Sequence, residues 1–180
     1  MNKLIKVSNQ EDIFLHYQGT PIETLLKYHN LKQPFENHLK AKILIGMCMD
    51  NRKQLKLPNN FAYILRSGGG NLRYSEFKIS YAIALGGVKS IALIGHNNCG
   101  MVNLESKKEK FIKGLVENAG WNIEQAEEHF NTCSPMFEIK DEIEFLLSET
   151  KRLRKKYPNI LVAPLFYKIE DNLLYLVKED

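Results

Sequence analysis

Two short stretches of this chain carry residue types that do chemistry together. Cys48 closes the apolar run Lys42–Met49 and is followed by Asp50 and Arg52 in Cys48-Met49-Asp50-Asn51-Arg52. Farther along, the apolar run Ser90–Gly95 ends in His96-Asn97-Asn98-Cys99-Gly100. A cysteine in an apolar strand is by itself an ordinary small buried residue, and one His-x-x-Cys is a weak signal. The pair of motifs says more, because both sit at the C-terminal ends of strand-like runs. Two thiolates and an imidazole suit zinc, and three protein ligands leave a fourth position open, as catalytic zinc requires. Asp50 has two possible fates. It can bind the metal as a fourth ligand and close the site, or pair with Arg52 and orient an attacking hydroxide.

Elements that bring these residues together can be read from the surrounding pattern. Lys42–Met49 reads as an apolar strand of the kind buried in a parallel sheet, and Phe61–Leu65 as a second strand. Residues 74–85 read as a helix whose Phe77, Tyr81, Ala84 and Leu85 share a face, with Gly86-Gly87 as its stop. Ser90–Gly95 is a third strand. Residues 101–135 hold one or two short helices, and residues 138–156 an amphipathic helix on Ile143, Leu146, Leu147 and Leu153. Ile160–Tyr167 and Leu173–Val177 follow as an antiparallel pair across the turn at Glu170-Asp171-Asn172. The expected class is α/β, with a mostly parallel sheet in the order 2-1-3-4, strand 5 antiparallel at an edge, and flanking helices. In that order strands 1 and 3 flank a topological switch point, which places Cys48, His96 and Cys99 in one crevice.

Composition agrees with a folded domain of this kind. The 180 residues are 44% hydrophobic and 26% charged, enough for a core without disulfide staples. Three cysteines, Cys48, Cys99 and Cys133, do not form a paired framework. The longest apolar stretch, Ile43–Met49, is too short to span a membrane, and the start lacks the apolar run of a signal peptide, so the expected compartment is the cytoplasm. The net charge of +4 divides unevenly: residues 1–100 carry 13 Lys+Arg against 6 Asp+Glu, while acids exceed bases beyond. This is no nucleic-acid stripe, and the basic run Lys151–Lys156 complements the end of a helix that opens on acids. Gly68-Gly69-Gly70-Asn71 matches no phosphate-binding pattern and reads as a tight turn. Cys133 reads as a bystander thiol, and His16, His29, His38 and His129 as solvated or capped. Residues 1–40 read as an N-terminal arm with a helix near Pro21–Tyr28. Its Ile22, Leu25 and Leu26 face has no evident place in a catalytic domain spanning 41–180, and a second subunit would cover it.

Cys48-x-Asp50-x-Arg52, the Arg66-x-x-Gly-Gly segment and His96-x-x-Cys99-Gly100-Met101 together resemble the β-class carbonic anhydrases, most strongly over residues 40–102. Where that family often has Arg-Asn-Ala-Gly and His-Thr-Asp-Cys, this chain has Arg66-Ser67-Gly68-Gly69 and His96-Asn97-Asn98-Cys99. The resemblance implies zinc on Cys48, His96 and Cys99, with Asp50 and Arg52 as a catalytic pair. It implies reversible hydration of carbon dioxide to bicarbonate and a proton, a lyase activity. It also implies homodimers or homotetramers, with the N-terminal helix over the partner and no nucleic-acid or membrane partner. A carbonyl sulfide or carbon disulfide hydrolase on the same scaffold is one alternative. A non-catalytic zinc-binding protein is another, which the intact Asp50–Arg52 pair argues against.

Overall fold

The computed structural model describes residues 3–179. The chain runs through β1 (Leu4–Lys6), α1 (Pro21–His29), β2 (Ile43–Cys48), β3 (Ala62–Ser67), α2 (Glu76–Ala84) and β4 (Ser90–His96). It continues through α3 (Lys108–Ala119), α4 (Ile123–Phe137), α5 (Glu142–Lys156), β5 (Leu161–Lys168) and β6 (Leu173–Val177). One mixed sheet has the order β1-β6-β5-β4-β2-β3. β3, β2, β4 and β5 are parallel neighbours, and β6 returns antiparallel to β5. The expected order of the four parallel strands and the antiparallel fifth therefore hold.

One correction concerns the edge. β6 is not terminal, because β1 pairs antiparallel with it, Leu4 opposite Val177 and Lys6 opposite Tyr175. Three residues are too few for a period-two pattern to stand out in sequence.

The central strands are apolar on both sides because both faces are covered. On β2, Ile43, Ile45 and Met47 enter one core with Ile22, Leu25 and Leu26 of α1. Leu44 enters the other core, with Ile79 and Ala82 of α2 and Leu146 and Leu153 of α5. Successive strand residues point to opposite faces, so one run of sequence serves both layers. Gly46 is required by this packing: a Cβ there would lie 2.5 Å from Leu72 Cδ1. Arg152 ties α5 to α2 by pairing with Glu76, and is itself positioned by the buried Glu149 of α5 at 2.6 Å.

The apolar face of α1 departs from expectation. Ile22, Leu25 and Leu26 are 0% exposed within the single chain, so α1 needs no second subunit to cover it. Residues before and after position 40 contribute to the same core. The stripe on α2 is instead open, with Phe77 82% and Leu85 74% exposed. Ile79 and Ala82, on the other side of that helix, are the residues that pack inward. Among the described residues, no helix is long and apolar enough to cross a membrane.

Candidate metal centre

β2 and β4 are parallel neighbours, with Met47 in register with Ile94, so their C-terminal ends emerge side by side. Cys48 ends β2 and His96 ends β4. Asn98 takes φ +54, a left-handed conformation that asparagine tolerates better than most residues, and turns the chain so that Cys99 faces back. Glu142, in the first turn of α5, accepts the Cys99 backbone N–H at 3.2 Å and fixes that turn from outside. Asn97 adds a second anchor: its Oδ1 accepts the Ile169 N–H at 3.0 Å, and its amide donates to Glu170.

The ligand atoms of Cys48, His96 and Cys99 all lie within 4.8 Å of one another, and all three residues are buried. The two sulfurs are 4.0 Å apart. Zn–S bonds of about 2.3 Å at a tetrahedral ion separate two sulfurs by roughly 3.8 Å, so the spacing fits. His96 Nδ1 donates to the Asn97 carbonyl at 2.9 Å, which leaves Nε2 as the lone-pair nitrogen. That Nε2 is buried without a hydrogen-bond partner among the described residues. A buried acceptor left open in this way is costly unless something binds it, and a metal ion would satisfy it. Hydrogen bonding from Cys99 draws the Cys48 thiol well below the ordinary thiol range, and the same contact pushes Cys99 up. Two thiolates this close need a cation between them to be charged together.

Asp50 is turned toward Arg52 and is not part of the 4.8 Å cluster. Arg52 Nε donates to Asp50 Oδ1 at 3.0 Å and Nη2 to Oδ2 at 2.6 Å, a forked pair, while the Arg52 backbone N–H also reaches Oδ1 at 2.9 Å. Nη2 further donates to the Asn98 carbonyl at 2.8 Å, which ties the Asp50 loop to the Cys99 turn. The Arg52 side chain holds the Asp50 carboxyl well below the usual carboxylate range.

Two neighbours escaped the sequence reading. Arg66 was recognised only as part of a motif; here its guanidinium donates to the carbonyls of Cys48 (3.3 Å) and Lys53 (3.2 Å), bracing the whole 48–53 loop. Lys53 is 1% exposed, and its Nζ has no hydrogen-bond partner among the described residues. Burial lowers the pKa of this ammonium, against the pull of Cys48, Asp50 and Cys99. A lysine in a polar loop gives no sequence sign that it will be buried. His29, expected to be solvated or capped, is buried. Its Nε2 donates to the Asn172 carbonyl at 3.0 Å and its Nδ1 accepts the Lys56 N–H at 3.1 Å. The glycine turn is as expected, with Gly69 and Gly70 at φ +63 and +74.

An apolar cavity of about 340 Å³ opens beside the cluster, lined in part by Met49, Gly68, Met101, Phe111 and Phe137. A side chain at Gly68 would intrude on it, since a Cβ would lie 3.1 Å from Met101 Sδ and 3.2 Å from Phe137.

The sequence profile of the carbonic anhydrase family matches residues 62–171, more than half of the chain. This chain belongs to the β-carbonic anhydrase family. β-Carbonic anhydrases are zinc enzymes. The family match takes in Arg66, His96 and Cys99 but begins after Cys48, which joins them through the β2–β4 register. Solved structures share the fold at low identity. Carbonic anhydrase from Streptococcus mutans has a TM-score of 0.60 at 18% identity, covering 92% of this chain and 100% of its own. β-Carbonic anhydrase isoform I of Trichomonas vaginalis has a TM-score of 0.62 at 17% identity, covering 87% and 93%. An apo carbon disulfide hydrolase has a TM-score of 0.54 at 19% identity, covering 78% and 80%. Comparison with curated proteins gave no match.

Proposed function

We propose that this chain catalyses the reversible hydration of carbon dioxide to bicarbonate and a proton, with zinc held by Cys48, His96 and Cys99. The observation that carries this reading is the open Nε2 of His96, buried beside two thiols whose spacing fits a tetrahedral ion. When bound, zinc supplies a Lewis acid that makes hydroxide available near neutral pH. Asp50, kept ionised by Arg52, accepts a hydrogen bond from the nucleophile at its carboxylate and fixes its orientation. Arg52 also holds Asp50 away from the ligand cluster, so the carboxylate does not compete for the fourth position. Arg66 keeps the loop carrying both residues in register with Cys48. Met49, Gly68 and Met101 give an uncharged, linear substrate an apolar approach.

The largely apolar surface of that 340 Å³ cavity favours a second reading, hydrolysis of carbonyl sulfide or carbon disulfide at the same site. These molecules are larger and more polarisable than carbon dioxide. Turnover of carbon dioxide and carbonyl sulfide by the zinc-loaded protein separates the two. The first reading expects hydration to dominate, and carbonyl sulfide turnover alone would replace it with the second.

We also propose a homodimer through the face of α2 and edge strand β3. Phe77, Tyr81, Tyr63 and Ile64 are exposed there, and Tyr63, Leu65, Phe77 and Tyr81 line a groove of about 350 Å³. An apolar face of this kind on a sheet edge is suited to a second copy of itself.

A further inference from the structure

Cys133 and His129 stand one turn apart on α4, with Cys133 Sγ 3.6 Å from His129 Nδ1. Both side chains line the 340 Å³ cavity, and with Ser67 and Ser134 they are the polar exceptions in an otherwise apolar wall. The His129 ring is held in place from two sides. Phe111 stacks on it at 6.2 Å with planes 20° apart, and Trp121 meets it edge-on at 5.2 Å. A thiol beside a fixed imidazole is the arrangement of an activated nucleophile and its base.

The same cavity adjoins the metal centre through Met101, which lines it and packs against the Cys48, Cys99 and Ile139 cluster. A group attached to the Cys133 sulfur therefore fills the cavity whose Met101 wall backs onto Cys48 and Cys99.

We propose that Cys133, with His129 accepting its proton, is a modification site for apolar low-molecular-weight disulfides, and that its modification obstructs the metal centre. The step is thiol–disulfide exchange. The Cys133 proton passes to His129 Nδ1, and the thiolate attacks one sulfur of the disulfide. A new S–S bond forms as the old one breaks, and the departing thiolate takes the proton from His129. Cys133 is oxidised, the disulfide is reduced to one free thiol, and a reducing thiol reverses the change. The apolar wall selects the reagent, because a charged disulfide would lose its hydration on entering.

The test uses the full-length, zinc-loaded protein with 4,4′-dithiodipyridine as the apolar disulfide and 5,5′-dithiobis(2-nitrobenzoate) as the charged one. One thiol per chain should react rapidly with the apolar reagent, about tenfold or more faster than with the charged one relative to their rates with free cysteine. Cys133→Ser should abolish that fast phase, and His129→Gln should slow it about tenfold. Equal relative rates for the two reagents in the wild-type protein would overturn the site, and this comparison needs no variant to fold. A fast phase that survives Cys133→Ser would overturn it equally. The obstruction rests on the proposed hydration activity. Labelling should abolish turnover in the wild type, dithiothreitol should restore it, and Cys133→Ser should keep normal turnover throughout. Full labelling with unchanged turnover would overturn the obstruction. An unlabelled protein without turnover would contradict the proposed function and leave the labelling result standing on its own.

Discussion

Acidification should loosen this protein through His29, and the size of the effect follows from its surroundings. His29 is 2% exposed and uses both ring nitrogens in the neutral form, donating from Nε2 to Asn172 and accepting the Lys56 N–H at Nδ1. Protonation destroys the acceptor, and burial, the leading cause, with Lys56 adding to it, lowers the imidazole pKa from 6.5 to about 4. Between those values the unfolded chain binds a proton that the folded chain refuses, so stability falls as pH falls. The loss starts near pH 6.5, is complete near pH 4, and amounts to about 3 kcal/mol at 1.36 kcal/mol per pH unit. His29→Gln removes the titration. It should cost about 1–2 kcal/mol at pH 7.5, where the Lys56 N–H loses its acceptor, and then change far less on acidification. Urea unfolding of both proteins at several pH values from 7.5 to 4.5 measures this as two converging curves. Parallel curves, with the variant losing as much as the wild type, would refute the reasoning.

Other outcomes follow from the same structure. Arg52→Ala and Asp50→Ala should each retain zinc while hydration falls sharply across pH 7 to 9, measured by stopped-flow with metal analysis; near-normal turnover in both would remove the pair from the mechanism. Gly46→Ala should destabilise the fold by about 1–3 kcal/mol in urea titration, because the new Cβ meets Leu72 at 2.5 Å. Light scattering should give twice the chain mass of 20.8 kDa, and Phe77→Glu with Tyr81→Glu should shift it toward the monomer; a monomeric wild type at micromolar concentration contradicts the proposed interface.

What was legible in the sequence was whatever periodicity and motif position encode. The runs Lys42–Met49, Ser90–Gly95 and Ile160–Tyr167 are apolar on both faces, which marks them as parallel strands, and the right-handed crossover rule restricts their order. Motifs placed just after two of those strands located the cluster that the structure assembles at 4.8 Å. The helix of residues 138–156 was legible in type but starts later, at Glu142, with Asp141 as its cap. The covering of an apolar face was not legible. The stripes on α1 and α2 look alike in sequence, and only the packing of the sheet decides that Leu25 is enclosed while Phe77 is open. Lys53, His29 and the Glu142 carboxylate that anchors Cys99 were likewise missed. Their roles depend on partners up to 143 positions away in the chain, as for His29 and Asn172. The pairing of His129 with Cys133 is a local i,i+4 contact, yet its meaning comes from the cavity that both residues face.

The central claim is that three side chains hold one zinc ion on which hydration depends. Metal content and carbon dioxide hydration, measured together on the wild type and on Cys48→Ser, His96→Ala, Cys99→Ser and Cys133→Ser, test it most directly. About one zinc per chain and turnover well above free zinc are expected in the wild type and Cys133→Ser, with metal and activity lost together in the other three. Full zinc occupancy in Cys48→Ser, or a zinc-loaded wild type no faster than free zinc, would contradict it.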